Sequence, residues 1–461
     1  MKNIMKHISA ALSGKNHDFT SGSIRRAVFL LSIPMVLEMG MESIFAIADI
    51  YFVDKLGSEA IAAVGITESL ITIVYAIAVG LSMAATALVA RRIGEKNPEA
   101  AAKAGGQAII TGLFLSLLIA IPGLFYSKEL LELMGASAYI VENYSGYTAI
   151  MLSTNLVIML LFINNAMLRS AGDAALSMRV LIVANLLNII LDPCLIFGLG
   201  PFPELGIKGA AIATSIGRGT AVVYQLYLLF NGRGKIKLKL RHLMPDFSLI
   251  LRLLKLSVGT VGQFIIATSS WIGLIRILSE FGSEVVAGYT VGIRILIFVI
   301  LPSLGISNAA SALVGQNLGA DKPDRAEKSV WLTAKINVIY MGLIGILFIL
   351  FPEIWVSLLT SDPEVIRYGA ESIHTMSFGF IAYGLGMVLV HAFNGAGDTM
   401  TPMAVNFLSF WMIEIPLAYF LAIYSGWGQS GVFWSIVIAE TMMTVMALIL
   451  FRKGKWKLKK V

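Results

Sequence analysis

Residues 87–96, Ala-Leu-Val-Ala-Arg-Arg-Ile-Gly-Glu-Lys, have a counterpart at 312–321, Ala-Leu-Val-Gly-Gln-Asn-Leu-Gly-Ala-Asp, at an offset of about 225 positions. Each segment ends a long apolar run and leads into a proline and an alanine-containing helix start. A similar offset lays Leu31-Ser32-Ile33 on Leu256-Ser257-Val258, and Arg169-Ser170-Ala171-Gly172-Asp173 on Asn394-Gly395-Ala396-Gly397-Asp398. Leu205-Gly206 through Gly209 falls on Trp427-Gly428 through Gly431. Matches kept in order at one spacing mean two copies of one architecture.

Working outward from the repeat, the solvent of this chain is lipid. Hydrophobic residues make up 57% of the 461 and charged residues 14%, with a mean hydropathy of +0.81. Apolar runs of roughly 20 residues, enough to cross about 30 Å of hydrocarbon, follow one another with no room for a soluble domain. The expected spans are 27–50, 61–90, 104–125, 138–164, 178–198, 207–230, 251–279, 285–316, 328–351, 367–393, 402–424 and 430–451. This predicts an all-α polytopic membrane protein of twelve transmembrane helices, arranged as two six-helix repeats around a central cavity. Six is even, so both copies enter the membrane from the same side and the repeats are parallel. The expected organisation is an N-terminal segment over 1–26, an N-lobe over 27–230, a basic linker over 231–250, a C-lobe over 251–451 and a basic tail over 452–461. The first apolar run is too long, and too polar in its second half, for a cleaved signal peptide.

The net charge of +7 resides beside the spans. Lys2, Lys6, Lys15, Arg25 and Arg26 precede the first, and Arg91, Arg92, Lys96 and Lys103 follow the second. Arg233, Lys235, Lys237, Lys239 and Arg241 follow the sixth; Lys322, Arg325 and Lys328 follow the eighth; six more basic residues from Arg452 to Lys460 end the chain. All fall on one side of an even-spanned bundle, against Lys55, Lys128 and Lys208 opposite. The bias predicts cytoplasmic termini in an inner membrane, and no nucleic-acid partner. The single cysteine, Cys194, is read as a small buried residue.

A charge held at the bilayer centre costs about 2.5–3.5 kcal/mol on insertion scales, so intramembrane carboxylates need a reason. Glu38, Glu42 and Asp49 in the first span are spaced to lie within about 40° on one helix stripe. Asn185, Asn188 and Asp192 share one face of the fifth span, ahead of Pro193. Asn164 and Asn165 end the fourth, Tyr147 lies further back in it, and Thr214 lies in the sixth. Such oxygens suit a small hard cation or protonated carboxyls. The competing reading, interhelical polar glue worth about 0.6 kcal/mol per contact, holds equally for Asn164, Asn185 and Thr214 taken singly. Glu68 is an outlying candidate for the first-span stripe.

The second copy does not repeat this set: Gln263, Ala267 and Leu274 stand where the first has Glu38, Glu42 and Asp49. Arg294, Lys335, His374, His391, Glu414 and Glu440 are scattered over its helices and are read as structural, with Arg294 and Glu414 a candidate pair and Glu440 aligned with Arg218. Ion chemistry is therefore expected in the first half. No phosphate-binding glycine loop, metal-ligand Cys/His cluster or nucleophile elbow occurs, so no cofactor and no enzyme activity are expected, and the driving energy falls to an ion gradient or a partner.

In order along the chain, Ser-Ile-Pro at 32–34, Ala-Asp-Ile-Tyr-Phe-Val around Asp49, Leu-Val-Ala-Arg-Arg-Ile-Gly-Glu-Lys after the second span, Leu-Arg-Ser-Ala-Gly-Asp after the fourth, Asn-Ile-Ile-Leu-Asp-Pro at 188–193, Gly-Ala-Ala-Ile-Ala-Thr at 209–214 and Gly-Gln-Asn-Leu-Gly-Ala at 315–320 resemble the multidrug and toxin extrusion family, in particular its DinF-like subgroup. The resemblance covers nearly the whole chain. It implies an antiporter, working as a monomer among membrane lipids, that exports cationic or amphipathic small molecules in exchange for H+ or Na+ by alternating access. Carried over by motif, Asp49 and Asp192 are the coupling carboxylates, with Asn188, Asn165, Tyr147 and Thr214 around them. Members of the NorM branch place an acidic residue in the seventh span; this chain has none there. Substrate is expected between the lobes, near Glu38, Glu42 and Gln263. The nearest rival is a flippase for a lipid-linked precursor, which calls for a basic cavity where the first-span stripe is acidic. A passive pore is a further alternative.

Overall fold

The computed structural model describes residues 11–12, 18–232 and 234–461. Lys2, Lys6, Lys15 and Arg233, used above for topology, lie outside the described residues, as does most of 1–17. Among the described residues every regular element is helical. The first copy contributes α1 (Ile24–Asp54), α2 (Ser58–Gly94), α3 (Pro98–Phe125), α4 (Ala138–Ser153), α5 (Asn155–Ala171), α6 (Ala174–Phe197) and α7 (Ile207–Asn231). The second contributes α8 (Phe247–Leu278), α9 (Ser283–Gly319), α10 (Pro323–Leu350), α11 (Pro363–Ser377), α12 (Phe380–Gly395), α13 (Met400–Tyr424) and α14 (Gln429–Arg452).

Among the described residues, ten spans are long and apolar enough to cross a membrane, α4 with α5 counting as one, and α11 with α12 forms an eleventh that bends by 61°. α7 stands in the place of the expected sixth span but carries Lys208 and Arg218 within its 25 residues and is less apolar. The expected span 138–164 is interrupted at Thr154, between α4 and α5, where Val157 N donates to Thr154 O at 2.9 Å in a tighter turn, and the span continues to Ala171. The bend between α11 and α12 falls at Phe378–Gly379, where a side chain on Gly379 would sit 3.3 Å from Met376 O and 3.5 Å from Val437 Cα. α2 and α9, each 37 residues, are about 55 Å long at 1.5 Å per residue, well beyond the hydrocarbon thickness.

The backbone itself repeats. Lys96 and Asp321, at matching positions after α2 and α9, both take left-handed φ, 58° and 55°, although neither is glycine. Asn97 then caps α3 by accepting from Ala100 N at 3.0 Å, with Pro98 at the first helical position. Gly206 and Gly428 open α7 and α14 with φ 56° and 59°. Three residues on, a Cβ on Gly209 would lie 2.3 Å from Leu195 O, and one on Gly431 2.6 Å from Ala422 N. In each copy, then, a helix enters against the backbone of its predecessor where only glycine fits.

The chain divides into two compact units, one comprising Leu37–Ser257 and the other Asp18–Val36 with Val258–Val461. The division cuts α1 just after Pro34, whose ring removes a helix hydrogen bond. In the second unit, Met35 O lies 2.7 Å from where Gly305 would carry a Cβ, so this half-turn of α1 packs directly on α9. In the first unit, the short turn Leu240–Leu243 and its flanks are strapped to α3: Gln107 Nε2 donates to His242 O and Met244 O, both at 2.8 Å, and Gln107 Oε1 accepts from Asp246 N at 2.8 Å. The residues following α14 also fold back. Trp456 is fully buried, stacked on Phe451 at 4.8 Å, while Lys459 pairs with Asp398 at 3.0 Å.

Candidate functional site

In the first unit the polar residues of the spans sort into three groups. Near the C-terminal ends of α1 and α6, Asp192 is fully buried, and Asn188 Nδ2 donates to its Oδ1 at 3.4 Å and to Thr214 Oγ1 at 3.2 Å. α6 supplies Asn188 and Asp192 one turn apart on the face that meets α7, where Gly217 lets Asn188 approach: a Cβ there would stand 2.9 Å from Asn188 Cβ. Asp49 is close enough for its charge to act on both Asp192 and Tyr147, and Glu68 acts on Asp49 and Tyr147. Tyr147 is 4% exposed. Asp192 Oδ2, Asn188 Oδ1 and Asn185 Nδ2 have no hydrogen-bond partner. Buried polar atoms are rarely left so, and several together mark a place for a proton, an ion or water.

The second group gathers around Glu38. Its carboxylate is fully buried and receives Arg169 Nη1 at 2.8 Å and Ser177 Oγ at 3.1 Å. Ser177 Oγ also lies 2.7 Å from Asn165 Oδ1, which accepts from Gln225 Nε2 at 2.6 Å. Asn165 therefore sits in the Glu38 network, and its oxygen is already engaged there, away from the Asn188–Asp192 contacts. In the third group Arg218 reaches Glu42 at 3.9 Å, donates to Tyr75 Oη at 2.9 Å and lies over the Phe45 ring at 5.0 Å. The stripe Glu38–Glu42–Asp49 thus divides: Glu38 pairs with Arg169 and Glu42 with Arg218, whose charge also reaches Asp49 beside the acidic and amide cluster.

Gln263 belongs to the second unit. Its Nε2 donates to Asn394 Oδ1 at 3.1 Å and Thr399 O at 2.9 Å, and its Oε1 accepts from Asn394 Nδ2 at 3.2 Å, an amide clamp that ties α8 to the last turn of α12 and the loop after it. Glu414 does not pair with Arg294; Ser270 Oγ donates to it at 2.6 Å. No sequence signal marks Arg169 and Ser177 as partners of Glu38, or Gln225 as the partner of Asn165. Arg169 lies 131 positions from Glu38 in a segment that reads as a loop motif, and no periodicity links the two. Among the described residues no group of three or more His, Cys, Asp or Glu is placed to hold a metal.

A helical scaffold built twice over, with ten spans among the described residues long and apolar enough to cross a bilayer and buried carboxylates within them, is that of a multi-pass membrane protein. The sequence profile of the MatE family matches it twice, over residues 34–194 and 260–420, and the chain belongs to that family, whose members are transporters and not enzymes. It is 27% identical over 439 residues to a probable multidrug resistance protein NorM of Thermotoga maritima, covering 94% of this chain and 93% of the relative. It is 26% identical over 444 residues to an FAD transporter of Shewanella oneidensis, covering 95% and 96%. Among solved structures, a MOP superfamily transporter from Pyrococcus furiosus, described as having a binding pocket of reversed polarity, superposes with a TM-score of 0.89 at 25% identity, covering 96% of this chain and 98% of that one.

Proposed function

We propose that this protein is a secondary active efflux antiporter of the DinF-like subgroup, exporting cationic or amphipathic compounds in exchange for H+ or Na+. Asp49 and Asp192 are the coupling carboxylates, and Asn188, Thr214 and Tyr147 complete their surroundings. The observation that carries this reading is the set of unpartnered acceptors, Asp192 Oδ2 beside Asn188 Oδ1, in a fully buried position. A carboxylate left there without a counter-charge is stabilised by taking up a proton or by ligating a small cation. Binding from outside neutralises the cluster and favours one arrangement of the helices around it; discharge inside restores the other, and substrate moves as the two arrangements alternate. The 27–230 and 251–451 halves act as the two lobes of this cycle, in an inner membrane with both termini cytoplasmic and the chain working as a monomer.

The lack of an acidic side chain at Gln263, Ala267 and Leu274 supports the DinF-like assignment over the NorM branch. Glu38 and Glu42, each facing an arginine, serve this cycle as charge-balanced supports whose pairing shifts when the cluster fills. A second reading, transport of an anionic cargo such as a lipid-linked precursor or a dinucleotide, has the Shewanella FAD transporter in its favour; the carboxylates Asp192, Glu414 and Glu440, none of which has an ion-pair partner among the described residues, argue against it. Titration calorimetry of the purified protein with NaCl, and proton release on addition of substrate, tests the assignment. The wild type should bind Na+ or release protons, and Asp192→Asn should do neither while remaining folded by circular dichroism. Unchanged ion binding in that variant removes Asp192 from the role.

A further inference from the structure

The second unit contains a half-open cavity of about 510 Å³ of its own, lined by α8, α9, α12, α13 and α14 with Met376 of α11. That volume lies in the range of sites for drug-sized ligands. Its walls are aromatic and aliphatic, with Phe264, Trp271, Phe380, Tyr383 and Phe410 supplying most of the ring surface. Its polar lining sets two carboxylates, Glu414 and Glu440, among hydroxyl and amide groups. Glu414, 4% exposed, is met only from one side by Ser270. Glu440 Oε2 lines the same space with no hydrogen-bond partner, and Glu440 lies close enough to Glu414 for the two charges to act on each other. Asn406, 8% exposed, also lines it, and its Oδ1 has no partner. Neither lysine nor arginine lines the cavity; His391 is its one basic side chain, and its Nδ1 is 2.9 Å from Met387 O of its own helix.

Two further features favour a ligand over simple packing. Residues Phe407–Glu414 of α13 are wound as a π-helix, a conformation that costs helix stability and is concentrated at binding sites; it spans the helix between Asn406 and Glu414. The position of Glu440 in the repeat is the position of Arg218 in the first unit, where the cation is matched by Glu42, Tyr75 and the Phe45 ring. At that position the second unit carries the opposite charge and leaves it open.

We propose that this cavity is a binding chamber for an amphipathic organic cation, whose ammonium or phosphonium centre is held by Glu414, Glu440 and Asn406 Oδ1 while its apolar body fills the aromatic walls. Two desolvated carboxylates attract a cation more strongly than water does only when no protein cation competes, which is the arrangement here. The ring faces add cation–π attraction, and the apolar walls reward a hydrophobic body over a small hydrated ion. The inference rests on the export reading only for the choice of a lipophilic cation as ligand.

Tetraphenylphosphonium is the probe, with neutral triphenylphosphine oxide as its uncharged counterpart, measured by equilibrium dialysis on purified full-length protein. The wild type should bind the cation and bind the neutral compound at least tenfold more weakly. Glu414→Gln with Glu440→Gln should lower cation affinity at least tenfold; amides in place of two poorly compensated buried carboxylates relieve desolvation, so the variant should fold. Ala267→Trp, which fills the chamber without touching a charge, should lower it as well. Asp49→Asn with Asp192→Asn should leave tetraphenylphosphonium affinity within threefold while abolishing ion-driven export. Binding that survives both the double Gln variant and Ala267→Trp, or a wild type that binds no tetraphenylphosphonium, overturns the chamber and leaves the antiport assignment standing. Chamber-dependent binding in a protein that shows no ion-driven export keeps the chamber and removes the antiport.

Discussion

Removing the Arg169 guanidinium from beside Glu38 should be among the most damaging single changes in the first unit. Glu38 has no solvent exposure, its pair with Arg169 is 2.8 Å long, and the arginine side chain is only 13% exposed. Breaking a buried pair from one side leaves an uncompensated charge and costs about 3–5 kcal/mol. Arg169→Met keeps most of the side-chain volume, so the loss is electrostatic; the Ser177 hydroxyl that remains offsets only about 1 kcal/mol of it. Glu38→Gln should cost less, about 1–2 kcal/mol, because Arg169 retains some access to water. The double variant removes both charges and should fall within about 2 kcal/mol of the wild type, well short of the sum of the singles. Reversible unfolding in mixed detergent micelles, run as a double-mutant cycle, measures all three. Arg169→Met within about 0.5 kcal/mol of the wild type, or single effects that simply add, would refute the assignment of Glu38 as a charge held by Arg169.

Four other outcomes follow from the packing and the surface. Gly209→Val and Gly431→Val drive a side chain into backbone atoms of the neighbouring helix, 2.3 Å and 2.6 Å from the nearest, and each should cost about 3 kcal/mol or prevent folding, read as loss of monodisperse protein on size exclusion. Trp456→Ala empties a fully buried site stacked on Phe451 and should cost about 3–5 kcal/mol in the same micelle assay, although it lies beyond the last span. Asp246, just outside α8, is paired with Lys103 at 2.6 Å and caps Leu249 N at 3.1 Å, which hold its carboxyl below the usual aspartate range. A lowered folded pKa means its contribution is complete above the ordinary value of about 3.9 and is lost as pH falls through the lower one, so hydrogen exchange over 234–246 should accelerate only below about pH 4.

The two-copy helical scaffold was legible because its signals are local and occur twice. The Lys96 and Asp321 backbone, the prolines at 98 and 323, and the glycine pairs 206/428 and 209/431 each act within a few residues of where they are read. The apolar runs gave the spans, but the break at Thr154 and the bend at Phe378–Gly379 escaped, since neither residue type stops a helix by itself. The stripe of Glu38, Glu42 and Asp49 followed from 100° per residue. What each carboxylate faces did not, because Arg169 and Arg218 arrive from helices more than a hundred positions away. Asn165 was grouped with Asp192 by motif, whereas Ser177 and Gln225 draw its oxygen toward Glu38. Glu414 and Glu440 read as scattered charges on separate helices; only packing shows that they open onto one cavity.

The most direct test of the account is accumulation of a fluorescent lipophilic cation in proteoliposomes under proton and sodium gradients imposed one at a time. The wild type should accumulate dye against its gradient with at least one of the two ions, and Asp49→Asn with Asp192→Asn should lose that accumulation under both while still inserting and folding. Normal uphill transport by the double variant, or a wild type that only equilibrates dye whichever gradient is applied, would contradict the proposal that these two carboxylates couple ion entry to export.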